Sequence, residues 1–96
     1  GQQRRMLSIA VLFTVSSFLV VAPWEPMAAD EVALWREWGE AYQRKEEPGK
    51  AVEAFEQILR RNPDDTVTLH QIVQAYNAAG EHRRAEDAAR RLVSLK

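Results

Sequence analysis

The sequence predicts an all-α protein in which one N-terminal transmembrane helix is followed by two helix-turn-helix hairpins. Three observations lead to this fold class. Residues 6–24 contain no charged side chain. Beyond Asp30, apolar residues recur at spacings of three and four, which is the period of an amphipathic helix. Several of these apolar positions recur again after thirty-four residues, which indicates an internal repeat.

The apolar segment predicts a single membrane span. As a helix with a rise of about 1.5 Å per residue, residues 6–24 cover roughly 28 Å, close to the thickness of the hydrocarbon core. Two arginines precede the segment, and every acidic residue follows it, beginning with Glu25. The positive-inside rule therefore predicts a cytoplasmic stub at 1–5, a lipid-embedded span of the inner (cytoplasmic) membrane at 6–24, and the rest of the chain in the periplasm or another extracytoplasmic space. Residues 25–30 are predicted to be a linker.

A cleaved signal peptide is the alternative interpretation of the same segment. Met27, Ala28 and Ala29 before Asp30 resemble a small-residue cleavage site, which would release a soluble periplasmic protein. The apolar run is longer than a usual signal-peptide core, and Pro23 disfavours cleavage after the preceding alanine. These two features favour a retained anchor.

Four amphipathic helices are predicted in residues 31–96. The first should run from about Glu31 to Lys45, with Asp30 as its N-cap. The signals that separate the remaining helices are the Pro48-Gly49 pair, the Asn62-Pro63 pair followed by the capping candidates Asp64 and Asp65, and Gly80.

The internal period divides this region into two repeats, 32–65 and 66–96. Core positions in the first repeat have an apolar partner thirty-four residues later: Trp35 and Leu69, Trp38 and Ile72, Tyr42 and Tyr76, Ala51 and Ala85, Phe55 and Ala89, Ile58 and Leu92. Such self-similarity is typical of a helical repeat array.

These residues resemble the tetratricopeptide repeat (TPR) family. The first repeat carries the family pattern in Trp35, Trp38, Gly39, Tyr42, Ala51, Phe55 and Pro63, and departs from it at Glu46, where the family often has Gly. The second repeat keeps Leu69, Tyr76, Gly80 and Ala85, whereas Val73 and Ala89 replace the usual small and aromatic residues. The resemblance implies two α-solenoid hairpins. The residues that match the family pattern form the repeat core, and the aromatic residues among them occupy the space between the helices.

The resemblance also implies a protein-binding function. In the family the first helix of each hairpin lines the concave face, and the outward residues at these positions are Arg36, Glu40, Gln43, Arg44, His70, Gln74 and Asn77. They lack the Lys and Asn pattern with which some relatives hold a peptide carboxylate. The end of the last predicted helix offers a second candidate contact surface, formed by Leu92, Val93 and Leu95, because no further helix follows to cover it.

Composition argues against other functions. The chain has no cysteine, no glycine-rich phosphate loop and only two histidines, His70 and His82, so no catalytic, cofactor-binding or metal site is expected, and no small-molecule substrate. Of its thirteen Lys and Arg, two precede Glu25, which leaves eleven against fourteen Asp and Glu. That acidic balance disfavours nucleic acid.

Two functional hypotheses follow from these observations. The chain is expected to be a non-catalytic accessory subunit of a larger membrane complex, respiratory, photosynthetic or other, in which it acts as a protein-interaction scaffold. The alternative is a membrane-anchored assembly factor or chaperone-like adaptor that binds client peptides transiently.

Overall fold

Residues 25–96 of the chain are described by a computed structural model, and they form four helices. These are α1 (Ala29–Arg44), α2 (Pro48–Arg61), α3 (Thr66–Ala78) and α4 (His82–Ser94). The predicted all-α architecture is confirmed for this part of the chain. No helix within residues 25–96 is long and apolar enough to cross a membrane. The predicted span and cytoplasmic stub lie outside the described residues.

Each helix packs on the one that follows it, so that α1 and α2 form one hairpin, α3 and α4 form a second, and α2 joins the two. The centre of the molecule lies between α2 and α3. There Phe55 and Ile72 are fully buried, together with the small residues Ala51 and Ala75. The small residues let the helix backbones approach closely, and the two large side chains fill the remaining volume. Ile58, also fully buried, belongs to a second cluster with Met27 and Val32.

The two hairpins turn in the same way. After α1, the backbone N–H of Glu47 donates to the carbonyl of Tyr42 at 2.9 Å; after α3, the N–H of Glu81 donates to the carbonyl of Tyr76 at 2.8 Å. These pairs are separated by thirty-four residues, as are the neighbouring hydrogen bonds of the two turns. The period found in the sequence is therefore a repeat of backbone geometry.

The left-handed residue that ends each first helix also repeats. Gly80 has φ of +80°, and its counterpart Glu46 has φ of +60°. Glycine takes this conformation without steric cost, whereas a residue with a Cβ loses about 1–2 kcal/mol. Glu46 departs from the family pattern, yet it keeps the backbone conformation that the pattern's glycine serves.

Two of the predicted boundary signals act differently from expectation. Asp30 is not the N-cap of α1: the cap is Ala28, whose side chain cannot accept a hydrogen bond, and Asp30 lies in the first turn, where its charge favours the helix dipole. Pro48 and Gly49 do not break the chain but begin α2, with Pro48 in the first turn, where a missing N–H costs nothing. The break falls just before them.

The boundary between the hairpins follows the prediction. The second helix ends at Arg61, directly before Asn62 and Pro63. Asp65 caps α3, because its Oδ1 accepts a hydrogen bond from the backbone N–H of Thr68 at 3.2 Å.

Residues 25–28 pack against the end of α2. The backbone N–H of Met27 donates to Oδ1 of Asn62 at 2.8 Å, and the Met27 side chain is buried. The guanidinium of Arg61 donates to the carbonyls of Glu25 and Pro26 at 3.0 and 3.2 Å. The segment predicted to be a linker, 25–30, is therefore held in place at its start, and its last two residues belong to α1.

The predicted core is mostly buried, with one large exception. Trp38 is 48% exposed, although the sequence predicted it to be a core filler. Its counterpart Ile72 is fully buried because α2 packs against that side of α3. No helix of residues 25–96 covers the same side of α1. Trp35 is half-buried and meets Trp38 edge to face, with ring centroids 5.1 Å apart.

The other residues of the predicted repeat core divide by role. Gly39, Ala51, Phe55, Leu69 and Ala85 are buried, and Tyr42 and Tyr76 are half-buried at the edge of the core. Pro63 and Gly80 are exposed, because they set backbone conformation at helix ends and fill no interior space.

Candidate protein-binding groove

Arg36 ties the two hairpins together. Its Nη2 donates to Oδ2 of Asp65 at 3.0 Å and to Oγ1 of the fully buried Thr68 at 2.8 Å, and its Nε donates to Oε1 of Gln71 at 3.2 Å. The sequence placed Arg36 among the partner-binding candidates. Its Nε and Nη2 are engaged within the chain, so Arg36 holds α1 beside α3.

Gln71 completes this bridge. While its oxygen accepts from Arg36, its Nε2 donates to Oε1 of Glu40 at 2.8 Å. Gln71 was not among the predicted site residues. Its position three residues before Gln74 puts both on one face of α3, and this spacing could have identified it.

A groove runs between α1 and α3 beside this bridge. One hollow of about 510 Å³ is lined by Glu40, Gln43, Arg44, Gln71 and Gln74. A second, of about 460 Å³, is lined by Gln43, Glu46, Pro48, Gln74 and Ala78. Because Gln43 and Gln74 line both, the two hollows form one continuous surface, here called the groove.

The groove is rich in side-chain carboxamides. Gln43 and Gln74 each offer N–H donors and a carbonyl acceptor, which is the pairing that a peptide backbone requires. The carboxamide of Gln71 is already bonded to Arg36 and Glu40. The charged residues of the lining are Glu40, Glu46 and Arg44, so the groove is weakly acidic. Its chemistry suits the main chain of an extended peptide.

Four of the predicted binding residues line the groove, namely Glu40, Gln43, Arg44 and Gln74. His70 is exposed on α3 but lines neither hollow. Asn77 is exposed and pairs through its Oδ1 with Nδ1 of His82 at 2.9 Å, which links α3 to the start of α4.

The predicted contact surface at the end of α4 is smaller than expected. Leu92 is buried, with only 8% of its surface exposed, because it takes the inward position that Ile58 has in α2. Val93 and Leu95 are exposed, at 68% and 39%. Those two side chains, and not Leu92, are available for contact.

A third hollow lies on the opposite side of the molecule, between α2 and α4. Within it the hydroxyl of Tyr76 donates to Oε1 of Glu56 at 3.1 Å. Burial of the phenol, followed by the nearby charge of Glu56 and this hydrogen bond, raises the pKa of Tyr76 to about 12. Through its hydrogen bond to Glu56, Tyr76 links α3 to α2.

Residues 25–96 show no arrangement for metal binding, since they contain no cluster of three or more His, Asp or Glu that could hold an ion. The two histidines lie on different helices, and His82 is engaged with Asn77.

The comparison with known protein families agrees with the geometry of the hairpins. Residues 32–73 match the tetratricopeptide repeat family. The match covers most of α1, all of α2 and the first half of α3, and the four-helix architecture fits a TPR fragment. The region that matches includes the left-handed Glu46 and the Arg36 bridge. TPR repeats are protein-interaction modules and are typically non-catalytic.

Neither the search of curated proteins nor the search of solved structures found a match to the chain. The family match ends at residue 73. Beyond it, the second hairpin is related to the first by equivalent backbone hydrogen bonds in the turn between α3 and α4.

Proposed function

We propose that the groove between α1 and α3 binds an extended segment of a partner protein, and that the chain is a non-catalytic scaffold. The observation that carries the proposal is the row of glutamines in the groove. The carboxamides of Gln43 and Gln74 face it from opposite helices, and Gln71 is held between them by Arg36 and Glu40.

The dimensions favour a short, extended ligand. From Gln71 to Ala78 the groove follows about two turns of α3, roughly 10 Å at 1.5 Å per residue. An extended chain rises about 3.3 Å per residue, so about three residues fit. So few contacts give modest affinity, and a stable complex needs further surface or a common anchor.

Residues 6–24 are proposed to supply that anchor as a single span of the inner membrane, with residues 25–96 outside the cytoplasm. The uncharged segment and the arginines before it support this placement. In this setting the chain serves as an accessory subunit of a membrane complex, and the span and the groove bind neighbouring subunits. Alkaline extraction of membranes tests the anchor: the chain should stay in the pellet, and its release into the supernatant would contradict the proposal.

A membrane-anchored assembly factor that holds client peptides transiently is the second candidate. It is favoured by the shortness of the groove, which suits rapid exchange. The two candidates differ in the stoichiometry of what stays bound to the chain.

The experiment is affinity purification of the tagged full chain from native membranes in mild detergent, with quantitative mass spectrometry. The groove variant Gln43→Ala/Gln74→Ala is compared with the control Glu53→Ala/Arg83→Ala, which changes exposed residues of α2 and α4. A stoichiometric set of membrane proteins bound to the wild type indicates a subunit, whereas substoichiometric clients indicate an assembly factor. Partners should be lost from the groove variant and kept by the control. Retention of every partner by the groove variant would contradict binding in the groove.

A further inference from the structure

One face of α1 is apolar and exposed in the described part of the chain. Leu34 and Trp38 are each 48% exposed, and Ala41 lies beside them, one turn further along. These three residues are here called the α1 face. Trp38 and Ala41, with Tyr42 and Lys45, also line a hollow of about 240 Å³, so the face is indented.

The repeat shows what such a face normally packs against. The positions thirty-four residues later, on α3, are fully buried: Thr68, Ile72 and Ala75. Ile72 and Ala75 pack in one cluster with Val52, Phe55 and Leu59 of α2, the last helix of the preceding hairpin. Thr68 accepts a hydrogen bond from Arg36 of α1. The α1 face therefore has the position of a surface that receives the last helix of another hairpin.

The helix α4, the last one within residues 25–96, carries the equivalent surface. The counterparts of Val52, Phe55, Glu56 and Leu59 are Glu86, Ala89, Arg90 and Val93, here called the α4 face. Val93 is 68% exposed, and no helix of residues 25–96 covers it. We propose that the α4 face of one copy of the chain packs on the α1 face of a second copy, which continues the internal interface between α2 and α3 from molecule to molecule.

Two polar contacts between the hairpins of one chain have favourable counterparts between two copies. In place of the bond from Arg36 to Asp65, His70 of the first copy meets Glu31 of the second. In place of the bond from Gln71 to Glu40, Gln74 of the first copy meets Glu37 of the second. In both, a donor faces a carboxylate. Unlike an isologous dimer, this head-to-tail contact leaves one face of each kind free, so chains of copies form.

Two replacements on the α4 face are unfavourable: Glu86 stands in the place of the buried Val52, and Arg90 stands in the place of Glu56. The second can be tested directly. Internally, Glu56 accepts from the Tyr76 hydroxyl at 3.1 Å and pairs with Arg84 at 3.8 Å. Between copies, Arg90 takes the place of Glu56 and meets Tyr42 and Lys50 of the second copy. Two cations then face each other, which weakens the association. The substitution Arg90→Glu restores the internal pairing and should strengthen it.

Residues 25–28, which directly precede α1, do not fit the place that α2 occupies. Residues 25–27 correspond to Leu59, Arg60 and Arg61, which are helical, yet residues 25–28 are not helical. Pro26 also falls where a helix of this register requires a backbone N–H. A second copy, which supplies an intact α4, is therefore the better occupant of the α1 face.

Cysteine cross-linking of the full chain in detergent tests this arrangement, because the chain has no cysteine of its own. Ala41→Cys is placed in one tagged copy and Val93→Cys in a differently tagged copy, and a short bis-maleimide is added. The mixed pair should cross-link, while each variant alone, and a Val67→Cys control on α3, should not. Trp38→Ser in the Ala41→Cys copy should reduce the cross-linked fraction at least tenfold, and Arg90→Glu in the Val93→Cys copy should raise it about threefold.

Each other outcome overturns the proposal. Cross-linking of Ala41→Cys with itself would show that α1 faces pair symmetrically. The mixed product could be absent while residues 1–24 protect the cysteine of Ala41→Cys from maleimide; the chain's own N-terminal segment would then cover the α1 face. If the mixed product is absent and that cysteine is not protected, the α1 face stays open. Gln43→Ala changes the groove and should leave cross-linking between copies unchanged. The contact between copies and partner binding in the groove are therefore tested independently.

Discussion

Gly39 of α1 lies directly against the ring of Phe55 of α2. A methyl group at Gly39 would be 2.6 Å from Cζ and 2.8 Å from Cδ1 of that ring, closer than carbon atoms approach in folded proteins. Phe55 is fully buried, so its ring has little room to move. The absence of a side chain at Gly39 therefore sets how closely the two helices of the first hairpin pack.

Substitution Gly39→Ala should destabilise the fold by about 1–3 kcal/mol, because the added carbon forces Phe55 out of its position. Urea unfolding measures the change. The double variant Gly39→Ala/Phe55→Leu should lose less than the sum of the single variants, since the smaller side chain relieves the overlap. Gly49→Ala is the matched control: nothing lies near its new methyl group, and helix propensity predicts a gain of about 0.5–1 kcal/mol. Additive losses at Gly39 and Phe55 would contradict the account.

Substitution Glu46→Gly should stabilise the chain by about 1 kcal/mol. Glu46 holds a left-handed conformation that glycine adopts without strain. Its counterpart should respond in the opposite direction, so Gly80→Ala is expected to cost about 1 kcal/mol. Thermal unfolding of both variants beside the wild type is the measurement. Destabilisation by Glu46→Gly would mean that the glutamate side chain contributes more than its backbone strain costs.

Removal of Arg36 should loosen the contact between the hairpins. Arg36→Ala leaves the hydroxyl of Thr68 and the carboxylate of Asp65 without their partner, at an expected cost of about 1–3 kcal/mol. Arg36→Lys should recover only part of this, because an ammonium lacks the planar fork that reaches three acceptors. The control is Arg90→Ala, whose ion pair with Glu86 is exposed and should matter little. Equal stability of the Arg36 and Arg90 variants would contradict the bridge.

Stability should fall at alkaline pH through Tyr76. Its pKa is raised from 10.0 to about 12, so the unfolded chain releases the phenol proton at lower pH than the folded chain does. The contribution is fully present below pH 10 and is lost as the pH rises towards 12. Urea unfolding at pH 8, 10 and 11 should show a steeper decline for the wild type than for Tyr76→Phe. Parallel declines would contradict the assignment.

The helices and their period could be predicted from the sequence because both depend on local patterns. Proline and asparagine at the end of α2, and the capping Asp65, act within a few residues of their own position. Asp30 misled the prediction because a residue that favours caps also suits the first turn, and only the chain path before Ala29 distinguishes the two. Trp38 misled it because its counterpart Ile72 is covered by α2, whereas no helix within residues 25–96 covers Trp38.

The groove could be predicted only in part. Gln43, Arg44 and Gln74 follow from the repeat position alone. Periodicity cannot show that Arg36 is engaged by Asp65 and Gln71, because those residues come from another helix and the bonds depend on how the hairpins stack. Outward-facing residues of one helix thus become internal once the next hairpin packs beside it.

Site-specific photo-cross-linking in native membranes tests whether the groove is the protein-binding surface. A photoreactive phenylalanine analogue replaces Gln74 in the groove or, as a control, Glu53 on the exposed side of α2. The account predicts a defined cross-linked partner from position 74 and none from position 53. Cross-linking from position 53 with none from position 74 would contradict it and would place the binding surface on the outer helices.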